Sequence, residues 1–267
     1  MSITTTMRTA LLGAVVFLFI PPLSAGTMPR PAGLEPDVAF WRRIFSEVTS
    51  RQALVHDNRY LGIVYEKMDL PGEQDWDADK RISDAVHGKY ERILKTLASG
   101  KRDGLTGDEA RVLAIWPAGV TNEDLLNAAG RVRFQQGLAD RFRDGLIRSG
   151  QWRDHIRETL RKEGVPEELA ALPHVESSYD PAARSYLGAS GLWQFTGDTG
   201  RRFMHIDNVV DERRDPFEST VAAARLLKYN YSILGSWPLA ITAYNHGVSG
   251  MRRAVQAMGT EDIEIIL

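Results

Sequence analysis

The chain has 267 residues, 43 % hydrophobic and 25 % charged, which is enough apolar material for a sizeable core. Its net charge of −2 gives no electrostatic case for binding nucleic acid or an anionic membrane surface. The absence of cysteine excludes disulfides, thiolate metal sites, a cysteine nucleophile and a lipid-modified N-terminal cysteine.

The N-terminus reads as an export signal. Arg8 is the only charge before Pro29, and the apolar run over residues 10–20 leads to Pro21-Pro22 and then Leu23, Ser24 and Ala25. That run is shorter than the roughly 20 apolar residues a transmembrane helix needs. Cleavage after Ala25 would leave 267 − 25 = 242 residues; the alternative is an uncleaved anchor. Either way the body is expected outside the cytoplasm, in the periplasm or cell envelope, and not as a lipoprotein.

Residues 26–36, rich in Pro and Gly, read as a spacer. Val38, Trp41, Phe45 and Val48 recur at helical spacing. Residues 60–65 (YLGIVY) are the only segment that reads as a strand, and a short one. Ile82, Val86, Tyr90, Ile93 and Leu97 form the apolar stripe of an amphipathic helix over 77–97. Thr106 and Glu109 match a capping box for a short helix ending near Trp116-Pro117. Thr121 is expected to cap a longer helix through about Ile147, with Leu125, Ala128, Val132 and Leu138 inward. Gly150 separates it from Trp152, Ile156 and Leu160.

Gly164 and Pro166 then end one helix and begin the next, on which Leu169, Leu172 and Val175 approach Glu176. Asp215-Pro216 is an N-cap with proline at the first helical position, and Phe217, Val221, Ala224, Leu227 and Tyr231 carry a stripe to Gly235. The apolar pattern runs on to the last residues, Glu264 to Leu267, as in a truncated or naturally short form. The fold class is therefore mainly α. A helical N-terminal region over 37–150, with at most one short strand, precedes a second helical unit over 151–267.

Glu176 is the residue of chemical interest. A carboxyl group that donates a proton near neutral pH needs a raised pKa, and apolar burial disfavours its charged form. Asp180-Pro181 breaks the approach helix, and Gly188, Ser190 and Gly191 allow close backbone approach. Leu192, Trp193, Gln194 and Phe195 add an aromatic surface and an amide. An acid, an aromatic ring and amides suit sugars, which present both C–H faces and hydroxyls. Taken alone, the local pattern is better explained by a glutamate hydrogen-bonded at a helix end.

Glu176-Ser177, Gly191-Leu192-Trp193-Gln194 and Ala243-Tyr244-Asn245, in that order, resemble the three motifs of the lytic transglycosylase catalytic-domain family, which has a goose-lysozyme-like helical fold. Ser185 also stands at a family-like offset from the glutamate. The likeness covers about 163–255; a weaker one over 56–66 (HDNRYLGIVYE) resembles the region upstream in the membrane-bound lytic murein transglycosylase D group. The resemblance implies a lysozyme-like catalytic domain over 151–267 acting on peptidoglycan glycan strands, without cofactor or metal.

In that reading Glu176 protonates the oxygen of the β-1,4 bond between N-acetylmuramic acid and N-acetylglucosamine. It then takes the proton of the muramic C6 hydroxyl, which closes on C1 to give a 1,6-anhydro end. A nucleophile tethered in the substrate removes the need for a second carboxylate. Ser185 and Gln194 are implied substrate contacts, with Tyr244 orienting Glu176 and Asn245 holding substrate or the helix around it. Trp193 is a cleft wall or, equally, core. Ser177, Gly191, Leu192 and Ala243 are structural members of the motifs.

Two alternatives stand beside this. Were Asp180, Asp198, Asp207, Asp211 or Asp215 to face Glu176 across a water, the chain would be a hydrolase resembling goose-type lysozyme; Asp180 reads better as a turn residue and Asp215 as a cap. The other is a non-catalytic envelope scaffold. His174, His205 and His246 lack the paired spacing of a helical zinc site. The pairs Arg201-Arg202 and Arg213-Arg214 read as solvated faces. The N-terminal region leaves room for cell-envelope protein partners.

Overall fold

A computed structural model describes residue 28, residues 31–71 and residues 76–267. The export signal and part of the spacer lie outside the described residues. The described residues are mainly α-helical, with one small sheet.

Helix α1 (Glu35–Ser46) buries Phe40 and Ile44, a face continued by Val48. Val38 and Trp41 are exposed, so the expected stripe is rotated. Trp41 instead packs on Phe45 at 6.1 Å, and Phe45 on Phe142 at 5.5 Å, on a lateral aromatic seam.

The expectation of at most one strand is corrected to three. Strands β1 (Gln52–Asp57), β2 (Val64–Asp69) and β3 (Val132–Gln136) form an antiparallel sheet in the order β2–β1–β3. The predicted strand over 60–65 is displaced because the Asp57 carboxylate accepts the amides of Arg59 at 2.8 Å and Tyr60 at 2.9 Å. That turns the chain before β2 can begin. Strand β1 went unseen because it is central: five of its six residues are buried, so no alternation marks it.

Helix α2 (Trp76–Ala98) follows the predicted stripe, with Tyr90, Leu94 and Leu97 fully buried. Helix α3 (Gly107–Ile115) has the expected capping box between Thr106 and Glu109. Helix α4 (Asn122–Ala129) is capped by Thr121 as anticipated, but the long helix to Ile147 is not formed. Gly130 ends α4, β3 follows, and Gly137 lies so close to the Val48 carbonyl that no Cβ fits. Val132 keeps its buried place, but from a strand. A second helix, α5 (Ala139–Ser149), completes the segment. Val55, Tyr65, Tyr90, Leu94, Leu125 and Val132 form the core between this sheet and its helices.

Helix α6 (Arg153–Glu163) ends at Gly164 with φ 74°, a left-handed cap. A 3-10 turn over Glu167–Ala171 leads into α7 (Leu172–Glu176), and α8 (Gly197–Gly200) follows a long loop. Helix α9 (Pro216–Leu234) starts as expected: the Asp215 carboxylate accepts the amides of Phe217 and Glu218 at 2.7 and 3.1 Å. Its first stripe residue, Phe217, is exposed and lies against the His155 ring. Helices α10 (Trp237–Met258) and α11 (Ile263–Ile266) end the chain. Ile156 and Leu160 of α6, Leu192 and Trp193 of the loop, Leu227 of α9 and Trp237 of α10 share a second core. No helix among the described residues is long and apolar enough to cross a membrane.

Candidate active site

Glu176 is the last residue of a five-residue helix. The helix stops there, well before Asp180-Pro181, because Ser178 and Tyr179 adopt φ of 52° and 58°. Left-handed backbone costs a non-glycine residue about 1 kcal/mol or more. Tertiary contacts hold the pair in place. The Tyr179 amide donates to Pro173 O at 3.0 Å, and its buried hydroxyl donates to Ala170 O at 2.6 Å. Asp180 accepts the Ala182 amide at 2.8 Å and is a turn residue. Val175, expected to help seat the helix, is 63 % exposed; Pro173 and Leu169 take that place.

The second motif is a loop with tight internal bonding. The Ser185 hydroxyl accepts the Ala189 amide at 3.0 Å. Gly191, at φ 82°, lies against the Arg213 carbonyl so closely that a Cβ would collide with it. Gln194 is also left-handed, at φ 48°, and its side-chain amide donates to Gly191 O at 2.9 Å and to Ala183 O at 3.3 Å. Two hydroxyls from the other motifs grip consecutive carbonyls of this loop. Ser177 donates to Leu192 O at 2.8 Å, and Tyr244 donates to Trp193 O at 2.7 Å. The third link is from Asn245, whose amide donates to Glu176 Oε1 at 3.4 Å. The three motifs therefore close into a ring of contacts around the glutamate.

The electrostatics follow from that enclosure. Burial pushes the Glu176 carboxyl above its ordinary range, with the Asn245 hydrogen bond opposing. Burial raises Tyr244 well above its usual value, and the nearby Glu176 charge adds to this. Tyr244 therefore remains a neutral donor, and its hydroxyl donates to Trp193 O.

Of the two readings of Trp193, the cleft wall is the one corrected. The side chain is fully buried, and the indole N–H donates to Thr220 Oγ1 at 3.0 Å, so it is core and cannot touch a glycan. Leu192 and Ala243 are buried, in keeping with a structural part. Asn245 is exposed beside the glutamate. His174 lies between the rings of Phe142 and Tyr179, at centroid distances of 5.0 and 4.4 Å, and burial lowers its pKa. The remaining acids are engaged locally: Asp198 with Arg201, Asp207 with His205 and the amides of Val209 and Val210, Asp211 with Arg213. Among the described residues no three His, Asp or Glu side chains converge as metal ligands would. A cleft of about 1270 Å³ lies elsewhere, between Tyr60, Trp116, Arg131 and Ile265. The meeting of the motifs, not cavity size, marks the site.

Two contributors escaped sequence reasoning. Arg213, read as a solvated residue, donates to Gly188 O at 2.9 Å and Phe195 O at 3.2 Å and thereby clasps both ends of the Gln194 loop. Gly247 breaks α10 with φ 70° and ψ 151°, two residues after Asn245, which places Tyr244 and Asn245 in the last turn of a half-helix. A glycine inside an otherwise helical pattern is the signal that could have found it.

A helical unit with a lone half-buried glutamate at a helix end, ringed by a polar loop and a Tyr-Asn pair, is of the lysozyme-like class. Residues 155–267 match the Transglycosylase SLT domain family, so this part of the chain is similar to that domain. The chain is 35% identical over 115 residues to membrane-bound lytic murein transglycosylase D of Escherichia coli (strain K12), covering 42% of this chain and 25% of that protein. It is 36% identical over 103 residues to a putative tributyltin chloride resistance protein of Alteromonas sp. (strain M-1), covering 38% of this chain and 50% of that one. A third relative, membrane-bound lytic murein transglycosylase F of Aeromonas salmonicida (strain A449), is 35% identical over 101 residues, 34% of this chain and 19% of that protein. The chain thus spans about a quarter of the Escherichia coli relative's length and half of the Alteromonas one's.

Proposed function

We propose that the protein is a peptidoglycan lytic transglycosylase acting in the cell envelope, with Glu176 as its single proton-transfer group. The observation that carries this reading is a half-buried glutamate with a raised pKa whose carboxylate accepts a hydrogen bond from the Asn245 amide. Burial favours the protonated form of such a carboxyl group, which suits it to act as general acid.

The acid delivers its proton to the bridging oxygen as the bond from muramic C1 breaks. The resulting carboxylate accepts the C6 hydroxyl proton while that oxygen bonds to C1. One proton leaves Glu176 and one returns, so the enzyme is regenerated and no water is consumed. Asn245 steadies the carboxylate after the first transfer, when charge appears on it. Gln194 and Ser185, on the loop opposite, are offered as contacts to the sugar's N-acetyl and hydroxyl groups. The catalytic unit is assigned to 151–267, the region over 37–150 to its support, and residues 1–25 to export.

Mass spectrometry of the muropeptides released from purified peptidoglycan tests this. Anhydro ends, lighter by one water than reducing ends, are expected from the native protein, and none from Glu176→Gln. Reducing ends would instead make it a hydrolase. No release by the native protein would favour a binding scaffold.

A further inference from the structure

The exit from the catalytic helix is held from outside the SLT match. Helix α5 ends before residue 155, yet one of its faces is pressed on the segment after Glu176. Phe142 packs on His174. Three residues on, Gly145 is buried against the Ser178 backbone, and a Cβ there would stand 2.9 Å from the Ser178 carbonyl oxygen. Three further on, Arg148 donates to that same oxygen twice, from Nε at 3.0 Å and Nη2 at 2.8 Å. Ser178 is the first of the two left-handed residues that end α7. A carbonyl turned out of the helical direction has no partner within α7, and the guanidinium fork supplies two donors to it.

The other end of α5 is anchored in the N-terminal region. Asp140 accepts the Ser50 amide at 2.8 Å and hydroxyl at 2.5 Å, and the amides of Leu138 and Ala139 donate to Ile44 O and Val48 O at 2.9 Å each. Helix α5 therefore links the sheet-bearing region to the left-handed residue pair that closely follows Glu176.

We propose that Arg148 is a positioning residue for Glu176, and that α5 is the strut through which the N-terminal region supports the reaction. The inference rests on Glu176 being the proton-transfer group. Arg148 touches neither substrate nor the carboxylate; it acts through the Ser178 carbonyl. Loss of the fork lets the left-handed pair relax and moves the carboxyl relative to Asn245 and the bound sugar. Displacement by a fraction of an ångström to 1 Å is expected to lower turnover on the order of ten- to a hundredfold.

The test uses the full chain and soluble glycan strands, with kcat and KM measured well below each variant's melting midpoint. Arg148→Ala is expected to lose at least about tenfold in kcat with KM kept within about twofold. Arg148→Lys should recover part of the loss, since one ammonium reaches the same oxygen with fewer donors. Gly145→Ala, which favours the helix but pushes on the same carbonyl, should lower kcat in the same way. A native kcat in Arg148→Ala overturns the inference, as does a fall in KM-linked binding alone. Should Arg148→Ala not fold, an unchanged kcat in Gly145→Ala overturns it instead. Glu176→Gln separates the two claims: if that variant is active, the mechanism fails; if it is dead while Arg148→Ala is native, only the strut fails.

Discussion

Replacing Trp193 by Phe decides between a tryptophan that walls the glycan groove and one that holds the core. The indole is fully buried among α6, α9 and α10, and its N–H donates to Thr220 Oγ1 at 3.0 Å. A phenyl ring leaves a void, at about 1–2 kcal/mol, less than the 3–5 typical of full truncation to alanine. The lost neutral hydrogen bond adds about 1 kcal/mol. No further penalty arises, because the Thr220 hydroxyl still donates to Pro216 O at 2.6 Å and no buried donor is orphaned. The sum is about 2–3 kcal/mol, which for a chain of this size lowers the melting midpoint by roughly 4–12 °C. Differential scanning calorimetry measures that drop, and glycan-strand kinetics below the transition should give a native KM. An unchanged midpoint with KM raised about tenfold would refute the core assignment.

Glu176→Gln also has a stability signature. Because burial raises the carboxyl's pKa in the folded protein, the neutral acid is the form that folding favours. That contribution is fully present below the ordinary value of 4.5 and is lost as pH rises through the raised one. The glutamine variant should therefore melt higher than the native protein at neutral pH, with the gap closing on acidification below that value; parallel curves would argue against burial as the cause. In the N-terminal region, Asp57→Asn should cost about 3–5 kcal/mol in a denaturant titration, since it leaves Arg131 without its anion in a buried setting. Asp57 is fully buried and bonded to Arg131 Nε at 2.9 Å, and Arg131 Nη2 is buried and unpartnered already. A loss below about 1 kcal/mol would show the pair to be dispensable.

Local signals were reliable where one side chain meets its own neighbouring backbone. The capping boxes at Thr106 and Thr121, the Asp215-Pro216 start and the glycine stops at Gly164 and Gly235 depend on a few adjacent residues, and each lies where the sequence places it. Helical spacing misled where partners are distant. Leu125, Ala128 and Val132 fit one helix on paper, yet Val132 belongs to a strand because β1, far earlier in the chain, offers it a ladder. Trp193 sits in a motif that reads as a groove, but its orientation is set by Thr220 on another helix.

From residue order alone one can know the helical class, the three motifs and the glutamate that they share, because motif identity and local hydrogen-bonding chemistry are carried by short runs of side chains. Only the tertiary structure decides that Ser177 and Tyr244 grip neighbouring carbonyls, that Asn245 reaches Glu176, and that Arg148 and Arg213 clasp the loops on either side. The physical reason is that each of these bonds ends on a backbone carbonyl or side chain brought close only by folding. A carbonyl carries no mark in the sequence of which donor will find it.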